Sequence, residues 1–126
     1  MKKALKILAA LPALLFIVFG LRWMIAPEGM AKELGMPLLE GMGLSSQLGD
    51  VGSFFLGGGI MVMIGIITER RDWLYAATLL VAGAAVFRTV AWLAHGAPFA
   101  VTSIAVEVTM TVILIATAAQ FKPTQK

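Results

Sequence analysis

Four long apolar runs separated by short polar patches organise this chain. They extend from about Leu5 to Ile25, Leu44 to Thr68, Trp73 to Ala94 and Phe99 to Phe121. Each has roughly twenty residues or more, and at about 1.5 Å rise per residue such a helix crosses a hydrocarbon core of roughly 30 Å. A helix is the only open-chain way to satisfy backbone polar groups in hydrocarbon. The pattern predicts an all-α integral membrane four-helix bundle, one transmembrane domain over residues 1–126. Glu69-Arg70-Arg71-Asp72 and His95-Gly96-Ala97-Pro98 are tight connections, which makes the helices they join antiparallel neighbours. Pro12 removes a backbone hydrogen bond from the first helix and predicts a bend there.

The one long connection runs from about Ala26 to Gly43. Pro27 suits a first helical position and Gly35 a C-terminal stop, with Glu28 and Lys32 spaced i, i+4. Met30, Ala31 and Leu34 then share a face. The expectation is a short interfacial helix on the outer surface, placed to lid the bundle.

Composition removes the soluble alternative. The 126 residues are 60% hydrophobic and 13% charged, and the mean hydropathy is +0.91. A soluble domain of this size has too little interior to hide that much apolar surface. The net charge of +3 does not indicate nucleic acid, because no basic stripe with interleaved aromatics is present. Basic residues instead mark topology: Lys2, Lys3 and Lys6 precede the first helix, Arg70 and Arg71 join the second and third, and Lys122 and Lys126 follow the fourth. With Lys32 alone in the opposite loops, both termini are expected on the cytoplasmic side of a bacterial inner membrane. Trp73, Tyr75 and Phe121 are expected at that interface, and Trp23, Trp92 and Phe99 at the other. The start Met1-Lys2-Lys3 also fits a signal peptide, but no small-residue cleavage site follows, and Arg22-Trp23 stands where one is needed. The absence of cysteine excludes disulfides, thiolate metal sites and cysteine nucleophiles.

Ionisable groups inside a bilayer cost roughly 2.5–3.5 kcal/mol each on insertion scales, so they are usually paired or functional. Arg22, Asp50, Arg88 and Glu107 stand out, one per helix, at an expected depth of about 5–12 Å below the outer surface. Two are positive and two negative, which predicts a shared polar layer. His95, seven residues beyond Arg88, is expected above it at the outer mouth. Asp50, Ser53 and Gly57 are expected on one face of the second helix, and Ser103, Glu107, Met110 and Thr111 on one face of the fourth. The layer either fixes helix register by ion pairing or also meets a ligand.

Gly57-Gly58-Gly59 lies in the membrane and is followed by no Lys-Ser/Thr, so a phosphate loop is excluded. Close packing through Ser53 and Gly57 against Ala82-Gly83-Ala84-Ala85 is expected instead. Met24, Met30, Met36 and Met42 recur near the outer loop. Thioethers bind Cu(I), but methionine is also a common filler of apolar surfaces, and no metal or cofactor is expected.

Asp50 through Gly57-Gly58-Gly59, Phe87-Arg88, His95-Gly96-Ala97-Pro98 and Glu107 together resemble the DoxX-like group of small four-helix membrane proteins, nearest to a branch known as a domain of unknown function. The resemblance spans about residues 10–120. It implies the four-helix fold and importance for Asp50, Arg88 and Glu107. Members of the wider group resemble accessory subunits associated with sulfur oxidation and quinone chemistry, or assembly chaperones for membrane proteins. Similarly built sterol isomerases use intramembrane acids in a lipophilic pocket.

The leading expectation is a non-enzymatic membrane protein whose polar layer binds a small lipophilic molecule, a quinone among the candidates, or a transmembrane segment of a partner or second copy. Membrane lipid is the constant neighbour. One alternative is an enzyme using Glu107 or Asp50 as general acid/base, which needs a carboxyl pKa moved toward neutral. Another is a small dimeric transporter, although the exporters of this size carry their essential glutamate in the first helix, where this chain has Arg22.

Overall fold

The computed structural model describes residues 1–123, and the described residues contain helices and no strand. Lys126 lies outside them. The helices are α1 (Lys2–Ile25), α2 (Pro27–Glu33), α3 (Gly41–Ser46), α4 (Ser53–Thr68), α5 (Arg71–His95) and α6 (Val101–Ala118). Between α3 and α4 the stretch Gln47–Gly52 is a π-helix, and Gly41–Thr68 forms one span. Four spans are long and apolar enough to cross a membrane: α1, Gly41–Thr68, α5 and α6. Leu11, Ile67, Leu79, Phe87, Leu93 and Val112 all project outward from them. Such a surface requires a covering of hydrocarbon, so the protein is an integral membrane four-helix bundle in contact with lipid.

The spans form a ring in which α1 packs mainly on α4 and α5 mainly on α6, with lighter α4–α5 and α1–α6 contacts closing it. Glycine makes the α1–α4 contact close. A Cβ on Gly20 would stand 2.6 Å from Leu56 Cβ and 2.7 Å from Leu56 N, and one on Gly59 would stand 2.6 Å from Ala13 O. Only a residue without a side chain lets the backbones approach this far. The expected Gly57 contact is therefore corrected. A Cβ on Gly57 or on Gly83 would meet nothing within 4 Å, and Ser53 is exposed. The tight face is the one that carries Gly52, Leu56 and Gly59, about 200° round the helix from Gly57, and its partner is α1 rather than α5.

Two apolar clusters fill the bundle. At the end carrying the termini, Ala9, Ala13, Val62, Ile66, Leu74, Ala77, Leu114, Ala118 and Phe121 pack together. Thr117 is buried among them. Its Oγ1 lies 2.7 Å from Ile113 O and 3.3 Å from Leu5 O, tying α6 to α1. Phe121 is buried at this end, with the Lys2 and Lys6 ammonium groups 5.6 and 5.7 Å from its ring centre. The same two lysines hold Glu69, at 2.8 and 2.6 Å. Glu69 closes α4 in the left-handed conformation (φ 52°), where Arg70 N–H donates to Gly65 O.

The second cluster lies at the loop end and contains Phe16, Trp23, Met30, Ala31, Phe55, Val81 and Met110. Trp23 is fully buried there, because α2 folds Met30 and Ala31 back over the bundle. Pro27 opens α2, and Gly35 (φ 71°) ends it. There Met36 N–H reaches Ala31 O and Gly35 N–H reaches Lys32 O, the bond pair of a Schellman stop. Gln47, buried within the π-helix, secures the returning chain. Its Oε1 accepts from Leu39 N–H at 2.8 Å, and its Nε2 donates to Pro37 O at 2.9 Å.

Candidate functional site

The ring closes less tightly between the α1/α4 pair and the α5/α6 pair than within either pair, and a crevice opens there in the loop half. Its two lobes have volumes of about 310 and 210 Å³. The larger lies between the second span and α5 and includes Met36, Asp50, Val51 and Ala84. The smaller lies between α1 and α6 and includes Pro12, Phe16, Phe19, Ser103 and Glu107. Leu34, Phe54, Phe55 and Arg88 line both. Leu15 and Val106, at the edge of the smaller lobe, are about half exposed on the outer surface of the bundle. That lobe therefore opens sideways toward lipid.

One wall is aromatic. Phe16 and Phe55 meet edge to face with ring centres 4.9 Å apart, Phe19 and Phe55 at 5.5 Å, and Phe54 and Phe55 at 5.3 Å. Edge-to-face geometry sets the positive ring edge of one against the negative face of the next, which stiffens the wall. The opposite wall carries the charge. Arg88 lies about 10 Å before the end of α5 and Glu107 about 9 Å after the start of α6, so the two side chains meet at one depth. Arg88 Nε donates to Glu107 Oε1 at 2.7 Å.

The pair is incomplete on both sides. The Glu107 side chain is 10% exposed, and its Oε2 is buried with no hydrogen-bond partner among the described residues. Arg88 is 41% exposed and uses only Nε, leaving both Nη groups without a partner among the described residues. A buried carboxylate oxygen without a donor is costly, and a guanidinium edge facing an apolar crevice can still donate two hydrogen bonds. The arrangement can thus receive a molecule that is apolar along the phenylalanine wall and polar where Arg88 meets Glu107.

The five expected residues are placed differently from one another. Arg88 and Glu107 pair, and Asp50 shares the larger lobe with Arg88. Asp50 is exposed, and no ion pair engages it among the described residues. Arg22 does not join the layer. Its Nη1 pairs with Glu33 Oε1 at 2.9 Å, because α2 brings Glu33 back over the end of α1. No ion pair joins Glu28 to Lys32 among the described residues. His95 is exposed and lies outside both lobes, since α5 ends there and Gly96 (φ 71°) turns the chain away. A single layer of four charges under His95 is therefore corrected to one ion pair with Asp50 at the rim.

The π-helix explains where Asp50 points. A run of i→i+5 bonds adds a residue to the turn and shifts the register, so residues three apart no longer share a face as in an α-helix. Asp50 accordingly lines the crevice with Val51 and Phe54, whereas Ser53 lines a separate cavity with Gly20, Met24 and Leu56. Sequence reading missed the phenylalanine wall, Gln47 and Glu33. The i, i+3 spacing of Phe16 and Phe19 and the isolated amide in an apolar run were legible signals for the first two; Glu33 had none. Among the described residues no group of three His, Cys, Asp or Glu side chains could hold a metal ion. Compared with known proteins, the chain matches no family model, no curated protein and no solved structure, so its chemistry is read from this geometry alone.

Proposed function

We propose that this protein is a non-enzymatic, DoxX-like membrane protein that holds a small lipophilic molecule in the crevice, with an accessory or assembly role. The observation that carries the reading is the half-used ion pair: Glu107 Oε2 buried without a donor and the Arg88 Nη groups without acceptors among the described residues, in a crevice that four phenylalanines also line. A pair that served only helix register would gain most from a two-bond fork. The apolar body of the ligand lies along Phe16, Phe19, Phe54 and Phe55, and its polar head meets Arg88. Entry is lateral, between α1 and α6, and Leu34 and Met36 cover the loop side. The orientation with both termini in the cytoplasm of a bacterial inner membrane draws support from Lys2, Lys6, Arg70, Arg71 and Lys122, which gather at one end.

Native mass spectrometry of protein extracted gently from its own membrane tests the reading, with the double variant Arg88→Leu/Glu107→Leu beside it. A small molecule at one copy per chain, absent from the double variant, is the expected result. A co-purifying membrane protein with no such molecule would replace the ligand with a partner's transmembrane segment.

A further inference from the structure

We infer that the crevice selects a neutral lipophile bearing a hydroxyl group, an alcohol or a phenol, over an anionic one, with the free oxygen of Glu107 as the selecting acceptor. This deepens the ligand-binding reading and rests on it. The argument begins with what each open position accepts. Glu107 Oε1 already receives the Arg88 Nε–H, so the pair is charge-assisted and Oε2 has only acceptor capacity. It can be satisfied solely by a donor: the phenylalanines of the lobe have none, and neither Thr102 nor Ser103, whose hydroxyls line the same lobe, bonds to it. The Arg88 Nη groups can be satisfied solely by an acceptor. A hydroxyl is both donor and acceptor, so one group can give its proton to Glu107 Oε2 and receive from Arg88.

Charge counting argues against an anionic head. Arg88 is the one cation lining the crevice, and Glu107 and Asp50 are its two anions. An anionic head would add a third negative charge to a region already short of positive charge, inside hydrocarbon where an uncompensated charge is most costly. A carboxylate head would also face Glu107 Oε2 with no proton to offer. A cationic head can donate to Glu107 Oε2 but carries no acceptor for the Arg88 Nη groups, so it leaves that open position unmet. The neutral hydroxyl is the head group that satisfies both open positions without changing the net charge.

The full chain in lipid nanodiscs is titrated with para-nonylphenol, para-nonylbenzoate, para-nonylbenzylamine and nonylbenzene, which share one tail and differ in the head. Occupancy is read by native mass spectrometry and referred to the probe concentration in the bilayer. The expected result is para-nonylphenol bound about tenfold more tightly than each of the other three, the worth of one hydrogen bond to a charged group. In Glu107→Gln the amide oxygen can still accept from Arg88 Nε, which turns the amide nitrogen into the crevice. The phenol preference should then vanish, and the benzoate should gain. Benzoate, amine or plain alkylbenzene binding as well as phenol in the wild-type chain overturns this inference and leaves the crevice a ligand site. If no probe binds, or binding is unchanged in Arg88→Leu/Glu107→Leu, the ligand-binding reading falls and the inference with it.

Discussion

Arg88 gives Glu107 a single hydrogen bond, Nε to Oε1 at 2.7 Å, and leaves the second carboxylate oxygen buried and unpartnered. The pair joins α5 to α6 in the loop half of the bundle and, with Asp50, supplies the charge of the crevice. Its energetics separate a structural role from a binding role.

Removing one member strands the other. Arg88→Leu should lower stability by about 2–3 kcal/mol, less than the 3–5 kcal/mol seen for fully buried pairs because Arg88 is 41% exposed. Arg88→Leu/Glu107→Leu should return to within about 1 kcal/mol of the parent, since apolar replacement of both partners leaves no stranded charge. Denaturant titration in mixed micelles distinguishes the two. A double variant as unstable as the single one would show that the pair itself, and not the stranded carboxylate, carries the stability.

Glycine substitutions should divide by helix face. Gly59→Ala forces a Cβ to 2.6 Å from Ala13 O, and Gly20→Ala forces one onto the Leu56 backbone, so each should lose about 1–3 kcal/mol by overpacking. Gly57→Ala has open space and should be neutral or gain up to about 1 kcal/mol from helix propensity. Thermal melts of the three variants provide the ranking.

Acid should loosen the end that carries the termini. The hydrogen bonds from Lys2 and Lys6 hold Glu69 down at a pKa of about 2, from an ordinary 4.5. A depressed folded-state pKa means that this stabilisation is complete above about 4.5 and is lost as pH falls toward 2. The protection factors of the amides from Leu5 to Leu8, which allow for the intrinsic pH dependence of exchange, should fall through that window, while Glu69→Gln should be less protected at neutral pH and show no such fall. A parent protein with flat protection factors from about pH 5 to about 2 would refute the link.

The loop over the crevice depends on Gln47. Gln47→Leu leaves Leu39 N–H and Pro37 O without their partner and should cost about 1–3 kcal/mol locally. Faster amide exchange at Leu39 and its neighbours is expected, with Val62 and Leu114 unchanged. Equal acceleration at all of these sites would mean that Gln47 supports the whole bundle and not the loop alone.

The sequence by itself determined the number of spans, their approximate ends and the form of α2. Hydrocarbon obliges each long apolar run to close its own backbone hydrogen bonds, and that requirement is local to the run. Pro27 and Gly35 act locally too, through a fixed φ and a left-handed stop. Arg88 and Glu107 were legible as unusual because intramembrane charge is costly wherever it lies. Tertiary structure decided which charges meet. Arg22 turned to Glu33 only because α2 folds back, and Asp50 reached the crevice away from Ser53 only because Gln47–Gly52 is wound as a π-helix. It also decided that Gly20 and Gly59, not Gly57, carry the close helix contact. A periodic pattern gives the relative angles of side chains along one helix, whereas the rotation of that helix toward its neighbours is set by packing across the whole bundle.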